Sequence, residues 1–449
     1  MAELAPIRTL PYLIYAVVFI TTLGDRVYAH TDSAILSPEH RQKLLDSAQQ
    51  KFDSMNNAIT TQFANGNKVF WQIGNSLDSM VNYCAVAKVD CSAVGASAIA
   101  IYEQKVLVKK WWHDDQGWWG ELFVRLFDLT SDKKYLEQAN KCYDDMVASQ
   151  YAWDNAPLPL KLQQPPRFPN GRFNTDLKDK NNNDGFTGIQ NTVTNALFLK
   201  LSLRLFDIHY KAYLATKDQA EAEAAEDYWF DAMEEYQWFK DWFANGLLNY
   251  DMAGDHQCLV EERVSSYTDG QCALYYQKNR SWVADNGLMI AALMMLRQKH
   301  QQLSQDNPLK LDLQGLDDGA LDNIGLSIAE AVNWDFVDTD SGLMKDYEED
   351  DSDKFPGGDW DDYLTGHGVF LRNIEFCALR DNIYQNAFTA PEYKDTISAN
   401  ADKALSTGSS ITDIAGLNSV TDDLDAVTTA IALGVPTDLH VPAKFRHRH

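Results

Sequence analysis

Apolar residues recur at helical spacing along almost the whole chain, and no convincing apolar–polar alternation marks a strand anywhere in it. Stripes with the i, i+3, i+4, i+7 rhythm fall near residues 38–65, 118–129, 133–149, 191–215, 221–244, 283–300, 316–334, 366–380 and 420–433. Each stripe is a helix face that must be buried against another helix. A chain of 449 residues built this way is confined to all-α architectures, and its 45% apolar content is enough for a large core. Two stretches rich in Pro, Gly, Asn and Asp interrupt the pattern, at 151–188 and 337–364. Helices of the same kind resume beyond each, so they read as surface loops within one domain.

Four of these helices open with a polar or glycine-bearing cluster and then turn strongly apolar. The openings are Asp114 to Val124, Gln190 to Asn195, Asp285-Asn286-Gly287 and Gly366-His367-Gly368. Between them run aromatic helices that end alike, around Trp242 to Leu248 and Trp334 to Met344, as repeated helical hairpins would. A single polar opening is accounted for by an ordinary helix N-terminus. Four in agreement predict a toroid of hairpins with all the openings on one face, which would be the cleft.

The chemistry of that cleft is written in Trp111-Trp112-His113-Asp114-Asp115-Gln116-Gly117-Trp118-Trp119. The apolar faces of sugar rings stack on indoles, and glycosidic bonds are broken by carboxyl pairs. Retaining enzymes hold the two carboxyls about 5 to 5.5 Å apart. Consecutive residues reach that spacing where the backbone turns, whereas a helix splays them by about 100°. Trp119, Leu122, Phe123, Leu126 and Phe127 form a helical stripe that begins just after the acids and leaves Asp114 and Asp115 at its mouth. Either aspartate could instead serve as a helix cap. A cap needs no flanking tryptophans, so the catalytic reading is preferred. Candidate sugar contacts are Trp112, Trp118 and Trp119 by stacking and Asn191, Asn195, Asp285 and Asn286 through hydroxyls, with His367 at the last opening. Trp119 reads equally well as core, and His113 as a structural hydrogen-bond partner.

A formal net charge of −26 argues against nucleic acid and anionic membrane surfaces as partners. Arg8, the apolar run Leu10 to Ile20 and Val27-Tyr28-Ala29 form a signal-peptide pattern over 1–29, with the mature chain starting near His30. The run is shorter than the roughly 20 residues of a bilayer span. We expect one catalytic domain at 30–440, a basic tail at 441–449 with no hydrophobic anchor, and a secreted, extracellular or cell-wall monomer without stable membrane insertion. Of the six cysteines, Cys84 with Cys91 and Cys258 with Cys272 are expected to bridge within polar, irregular segments, and Cys142 and Cys377 to be buried thiols. Asn279-Arg280-Ser281 is a glycosylation sequon. There is no phosphate loop, zinc spacing or Ser/Cys nucleophile motif, and Asp179 to Gly185 departs from a calcium loop, so no metal or cofactor is expected.

The run Lys110 to Gly120, followed by Arg125-Leu126-Phe127-Asp128-Leu129-Thr130 and Tyr135-Leu136, resembles the signature of glycoside hydrolase family 76, the α-1,6-mannanases. Gln190 to Phe198 is similar to that family's second block and Gly366 to Arg372 to its last. The resemblance implies an (α/α)6 barrel and a retaining endo-mechanism on α-mannan, with Asp114 as nucleophile and Asp115 as general acid/base. Two places differ: Phe168 to Phe186 holds no tryptophan, and Ala284-Asp285-Asn286-Gly287 stands where the family has Tyr-Asn-Gln-Gly. A cell-wall transglycosylase would use the same acids. A non-catalytic glycan-binding protein would keep the tryptophans without needing the pair.

Overall fold

The structure, a computed structural model, describes residues 36–63, 70–106, 112–148, 171–172, 174, 190–244, 248–249, 259–262, 266–268, 271–273, 281–346 and 364–437. The signal-peptide pattern, the basic tail, the sequon at Asn279, the acidic loop at 179–185 and Cys258, on which the second expected bridge rests, lie outside the described residues.

Helix follows helix. In chain order they are α1 (Pro38–Ala58), extended by a π-helical turn (Ile59–Phe63), α2 (Phe70–Ala87), α3 (Ser92–Val106), α4 (His113–Thr130), α5 (Lys133–Ala148), α6 (Thr192–Thr216) and α7 (Gln219–Ala244). After two small hairpins come α8 (Val283–Gln305), α9 (Asp318–Asp335), α10 (Gly366–Ala378), α11 (Asn382–Phe388), α12 (Pro391–Ser406) and α13 (Ile414–Leu433). The hairpins pair β1 (Leu248–Asn249) with β2 (Leu259–Val260) and β3 (Ser266–Thr268) with β4 (Gln271–Ala273), both antiparallel. Side-chain caps start several helices: Ser37 accepts from His40 N at 3.1 Å, Asp317 from Ala320 N at 2.7 Å and Asp413 from Gly416 N at 2.8 Å.

The inner helices α2, α4, α6, α8, α10 and α13 each pack on the next, and α13 returns to pack on α2. Outside them, α3 lies on α2, α5 on α4, α7 on α6, α9 on α8, α12 on α13, α11 on α10, and α1 covers α13 and α2. This is the expected all-α toroid, an (α/α)6 barrel. Glycines let the ring close. A Cβ on Gly287 of α8 would stand 2.8 Å from Phe370 Cα of α10, and one on Gly368 of α10 would stand 2.7 Å from Asp422 Cα of α13.

Helices α2, α3, α11 and α12 are absent from the periodic pattern of the sequence. In α2 the reason is plain: Gln72, Asn75, Asp78 and Asn82 are buried along with its apolar residues, so no polar face is left to reveal a stripe. The Cys84–Cys91 bridge is present, with Cα atoms 5.9 Å apart. Cys84 lies inside α2, not in an irregular segment, so the bridge ties an inner helix to the start of the outer helix α3. Cys142 and Cys377 are buried free thiols.

The barrel axis is filled in layers. Near the N-terminal ends of the inner helices, Trp71 of α2, Trp118 of α4 and Trp282 at the start of α8 meet with ring centroids 5.6, 6.4 and 6.3 Å apart. Deeper lies a layer of charge. Arg125 Nε donates to Asp78 Oδ1 at 2.6 Å, Arg372 Nε lies 3.0 Å from Asp78 Oδ2, and Arg372 also pairs with Asp425. Lys200 Nζ stands 2.7 Å from Glu121 Oε2 and donates to Asn373 Oδ1 at 2.9 Å. Burial drives Asp78 upward, but Arg125 and Arg372 outweigh it and hold the carboxyl at about 2. Glu375 has weaker help. Burial pushes it up to about 7, against donation from Asn82 and the field of Arg125.

A pH dependence follows from Glu375. The unfolded chain ionises this group near its ordinary value of 4.5, while the fold keeps its proton up to about 7. Stability is therefore lost as pH rises through that window, by about 3 kcal/mol once it is passed. The variant Glu375→Gln carries no such cost. Urea unfolding should show Glu375→Gln gaining on the wild type by that order between pH 5 and pH 8; a difference independent of pH would refute this account of the layer.

Candidate active site

The N-terminal ends of the inner helices share one face of the barrel, as the contacts among Trp71, Trp118 and Trp282 require. The same face gathers the start of α6, where Thr192 N donates to Glu262 O at 2.7 Å, and the start of α10, where a Cβ on Gly366 would stand 2.5 Å from Trp282 Nε1. The three indoles plug the axis beneath this face and form the floor of the cleft.

Asp114 and Asp115 stand on it. The backbone turn lies ahead of the acid pair and not at it, at Trp112, whose extended conformation (φ −68°, ψ 154°) precedes a helix beginning at His113. Both acids thus lie inside the first turn of α4, not ahead of it. Asp115 Oδ2 accepts from Trp112 N at 3.2 Å, closing a capping arrangement. Asp115 is buried and Asp114 half-buried. Both sit at the positive end of the helix dipole, which favours negative charge. Cap and catalytic acid are compatible roles, because a carboxylate offers several acceptor sites.

Around the acids the structure separates the expected sugar contacts into distinct surroundings. Trp112 is 55% exposed beside the pair, Trp118 belongs to the floor, and Trp119 is core, with Nε1 donating to Phe70 O at 3.2 Å. His113 donates its N–H to Asn174 O at 2.7 Å and sets Nδ1 3.1 Å from Asp145 Oδ2 on the outer helix α5. Asn191 caps α6 by accepting from Thr194 N at 3.3 Å. The Asn195 amide is engaged with backbone, accepting from Arg172 N and donating to the carbonyls of Arg172 and Asn191. Asn286 likewise accepts from Val260 N at 2.9 Å and donates to Ser281 Oγ and Trp282 O. Asp285 is fully buried in the first turn of α8.

His367 carries the strongest electrostatics of the face. Its Nδ1 lies 2.7 Å from Asp346 Oδ1 and 3.4 Å from Asp422 Oδ2, while its N–H donates to Asp346 at 2.9 Å. Burial pulls the ring's affinity for a proton down, but Asp422 and Asp346 overcome that and raise it to about 9. Burial raises Asp422 well above its ordinary value. Asp346, Asp422, Trp71 and Trp282 are not among the residues expected at the site from the sequence. The first lies in a segment read as a surface loop and the second midway along a helix, so nothing local announces them. Trp282 does precede the Asp285 cluster as Trp112 precedes Asp114, a parallel visible in the sequence.

These surroundings separate fold from surface. Asn195→Ala removes an amide bonded to both the N–H and the carbonyl of Arg172, so it should lower unfolding stability by about 1–3 kcal/mol. Trp112→Ala should change stability by no more than about 0.5 kcal/mol, as exposed sites do. Denaturant unfolding of both variants tests the contrast, and equal losses would contradict it.

No family model matches the chain, and no curated protein matches it in sequence. Solved structures do match in fold. An inactive variant of the α-1,6-mannanase of Salegentibacter sp. HEL1_6, in complex with α-1,6-mannotetraose, superposes with a TM-score of 0.54 at 15% identity, covering 86% of this chain and 98% of the other. A family 76 glycoside hydrolase from a bovine Bacteroides thetaiotaomicron strain gives 0.51 at 15% identity, over 87% of this chain and 77% of that one. A family 76 mannosidase from Bacteroides thetaiotaomicron VPI-5482 gives 0.50 at 12%, over 86% and 98%. The structural neighbours of this chain therefore include family 76 α-1,6-mannanases, and it shares their (α/α)6 fold along most of its length.

Proposed function

We propose that this chain is a glycoside hydrolase of family 76 that cleaves α-1,6-mannan internally with retention, Asp114 acting as nucleophile and Asp115 as general acid/base. The observation that carries the reading is the pair itself: two consecutive carboxylates on the polar face of an (α/α)6 barrel, beside the exposed Trp112 and above an indole floor. Both acids lie in the first turn of α4, where consecutive side chains diverge by about 100°, so the assignment of retention rests on the resemblance to family 76 and not on the spacing of the pair. In support, a Salegentibacter α-1,6-mannanase is inactive as a variant with two consecutive aspartates replaced.

The chemistry runs in two displacements. Asp114 attacks the anomeric carbon as Asp115 gives its proton to the departing glycosidic oxygen, leaving a glycosyl-enzyme ester. Water then attacks the same carbon, loses a proton to Asp115 and frees Asp114. Trp112 offers an indole for a sugar ring outside the floor. We further propose a secreted monomer with one catalytic domain at 30–440; the Cys84–Cys91 bridge fits an oxidising compartment. Among the described residues no helix is long and apolar enough to cross a membrane.

Asp114→Asn and Asp115→Asn should each abolish hydrolysis of linear α-1,6-mannan while melting near the wild-type temperature. With an aryl mannoside whose leaving group needs no proton, Asp115→Asn should be rescued by azide and Asp114→Asn should not. Retention of more than about a tenth of activity by both, under 1.4 kcal/mol of transition-state binding, would reduce the pair to a cap. Product sizing with and without added mannose acceptors distinguishes hydrolysis from transglycosylation.

A further inference from the structure

We propose that Asp346, His367 and Asp422 form a binding site for a divalent cation of the zinc or manganese class, set in the cleft wall across the ring from Asp114 and Asp115. The inference goes beyond glycan cleavage and does not depend on it. Three chain segments supply the donors: the turn 337–346 that follows α9, the first turn of α10, and α13. One donor atom from each lies within 4.8 Å of the others, and Nδ1 stands 2.7 and 3.4 Å from the two carboxylate oxygens. Ligands about 2.0–2.2 Å from one zinc ion are about 3 to 3.5 Å from each other, so small shifts admit an ion.

A second observation points the same way. Asp422 is 1% exposed, its Oδ1 accepts from Gly368 N at 3.0 Å, and its Oδ2 is buried without a hydrogen-bond donor. The Nδ1 proton that could reach it is directed to Asp346 at the shorter distance. A buried carboxylate oxygen aimed into a cluster with no donor is costly, and a dication removes that cost while balancing two acids. Gly368 holds the arrangement open, since a Cβ there would stand 2.3 Å from Asp422 Oδ1. One imidazole with two carboxylates suits zinc or manganese, whereas calcium prefers an all-oxygen shell of higher number. Asp422 closes the inner side. The side chains of Asp346 and His367, 17% and 14% exposed, leave the remaining positions towards the cleft. Ion and ring proton compete for the same atoms, so binding releases the Nδ1 proton to solvent.

The test is a titration of EDTA-treated full-length protein with zinc chloride and, separately, manganese chloride by isothermal calorimetry, with calcium chloride as control. One ion per chain is expected. Asp422→Asn, Asp346→Asn and His367→Gln should each weaken it by at least about 100-fold, the upper end of what loss of a mere supporting partner does. Thermal melts establish that each variant is folded; should Asp422→Asn fail to fold, the partly exposed Asp346 provides the decisive variant. No stoichiometric binding by the wild type, or binding that survives in the folded variants, overturns the proposal. Because no substrate is present, a negative result leaves the mannanase reading intact, and an inactive enzyme leaves this one intact.

Discussion

The grip of Arg125 and Arg372 on Asp78 is the contact on which the barrel depends. It joins α2, α4 and α10 at one level of the axis, and Asp425 carries the linkage to α13. An axis filled with charge is a costly choice, because withdrawing ions from water offsets most of what their attraction returns. Its value lies in register. Hydrocarbon side chains would tolerate sliding of parallel helices, while a guanidinium shared between two carboxylates tolerates little. With the helices indexed at that depth, their N-terminal ends come level, and level ends give the polar openings a common face.

That common face constrains the chemistry above it. The three indoles lie between the face and the charge layer, in which Arg125 and Arg372 pair with Asp78 and Asp425. Asp114 and Asp115 on one wall and the cluster of Asp346, His367 and Asp422 on the other are then two polar walls over an aromatic floor. Both rest on helix N-termini, where backbone N–H groups face anionic side chains. Trp112 N meets Asp115, and the N–H groups of His367 and Gly368 meet Asp346 and Asp422.

Much of this was legible in the sequence, and the limits have physical causes. Outer helices such as α1, α5 and α7 announce themselves through one wet face, and inner helices α4, α6, α8 and α10 through strongly apolar runs behind a polar opening. Inner helix α2 does not, since it is enclosed on all sides and its Asn75, Asp78 and Asn82 point into a polar lumen that a periodicity argument does not anticipate. The acidic pair could be read because both members lie side by side in one peptide with tryptophans around them. Asp346 lies 21 positions from His367, and Asp422 lies 54 from its neighbour Gly368, so the cluster meets only when α10 is wedged between its neighbours. Asn195 and Asn286 were read as sugar ligands from their place in the polar openings, but their amides hold the chain segments beside those openings, a role that depends on backbone brought from 23 and 26 residues away.

The closure of the ring sets an order of events for the nascent chain. Contacts between the first helices and the last span most of the polypeptide: Thr437 N donates to His40 across 397 positions, Lys51 reaches Asp423 across 372, and Ser76 meets Thr421 across 345. Hairpins from α2 to α9 can assemble as they leave the ribosome, each resting on its predecessor, but α1 and α2 keep an uncovered flank until α13 is made. That flank exposes apolar surface and the half-paired Asp78 throughout synthesis. Long-range closure of this kind is slow, and unfinished surfaces of this kind aggregate. A cell producing this protein must therefore shelter an incomplete arc, and truncation before α13 removes the seam of the ring along with its last helix.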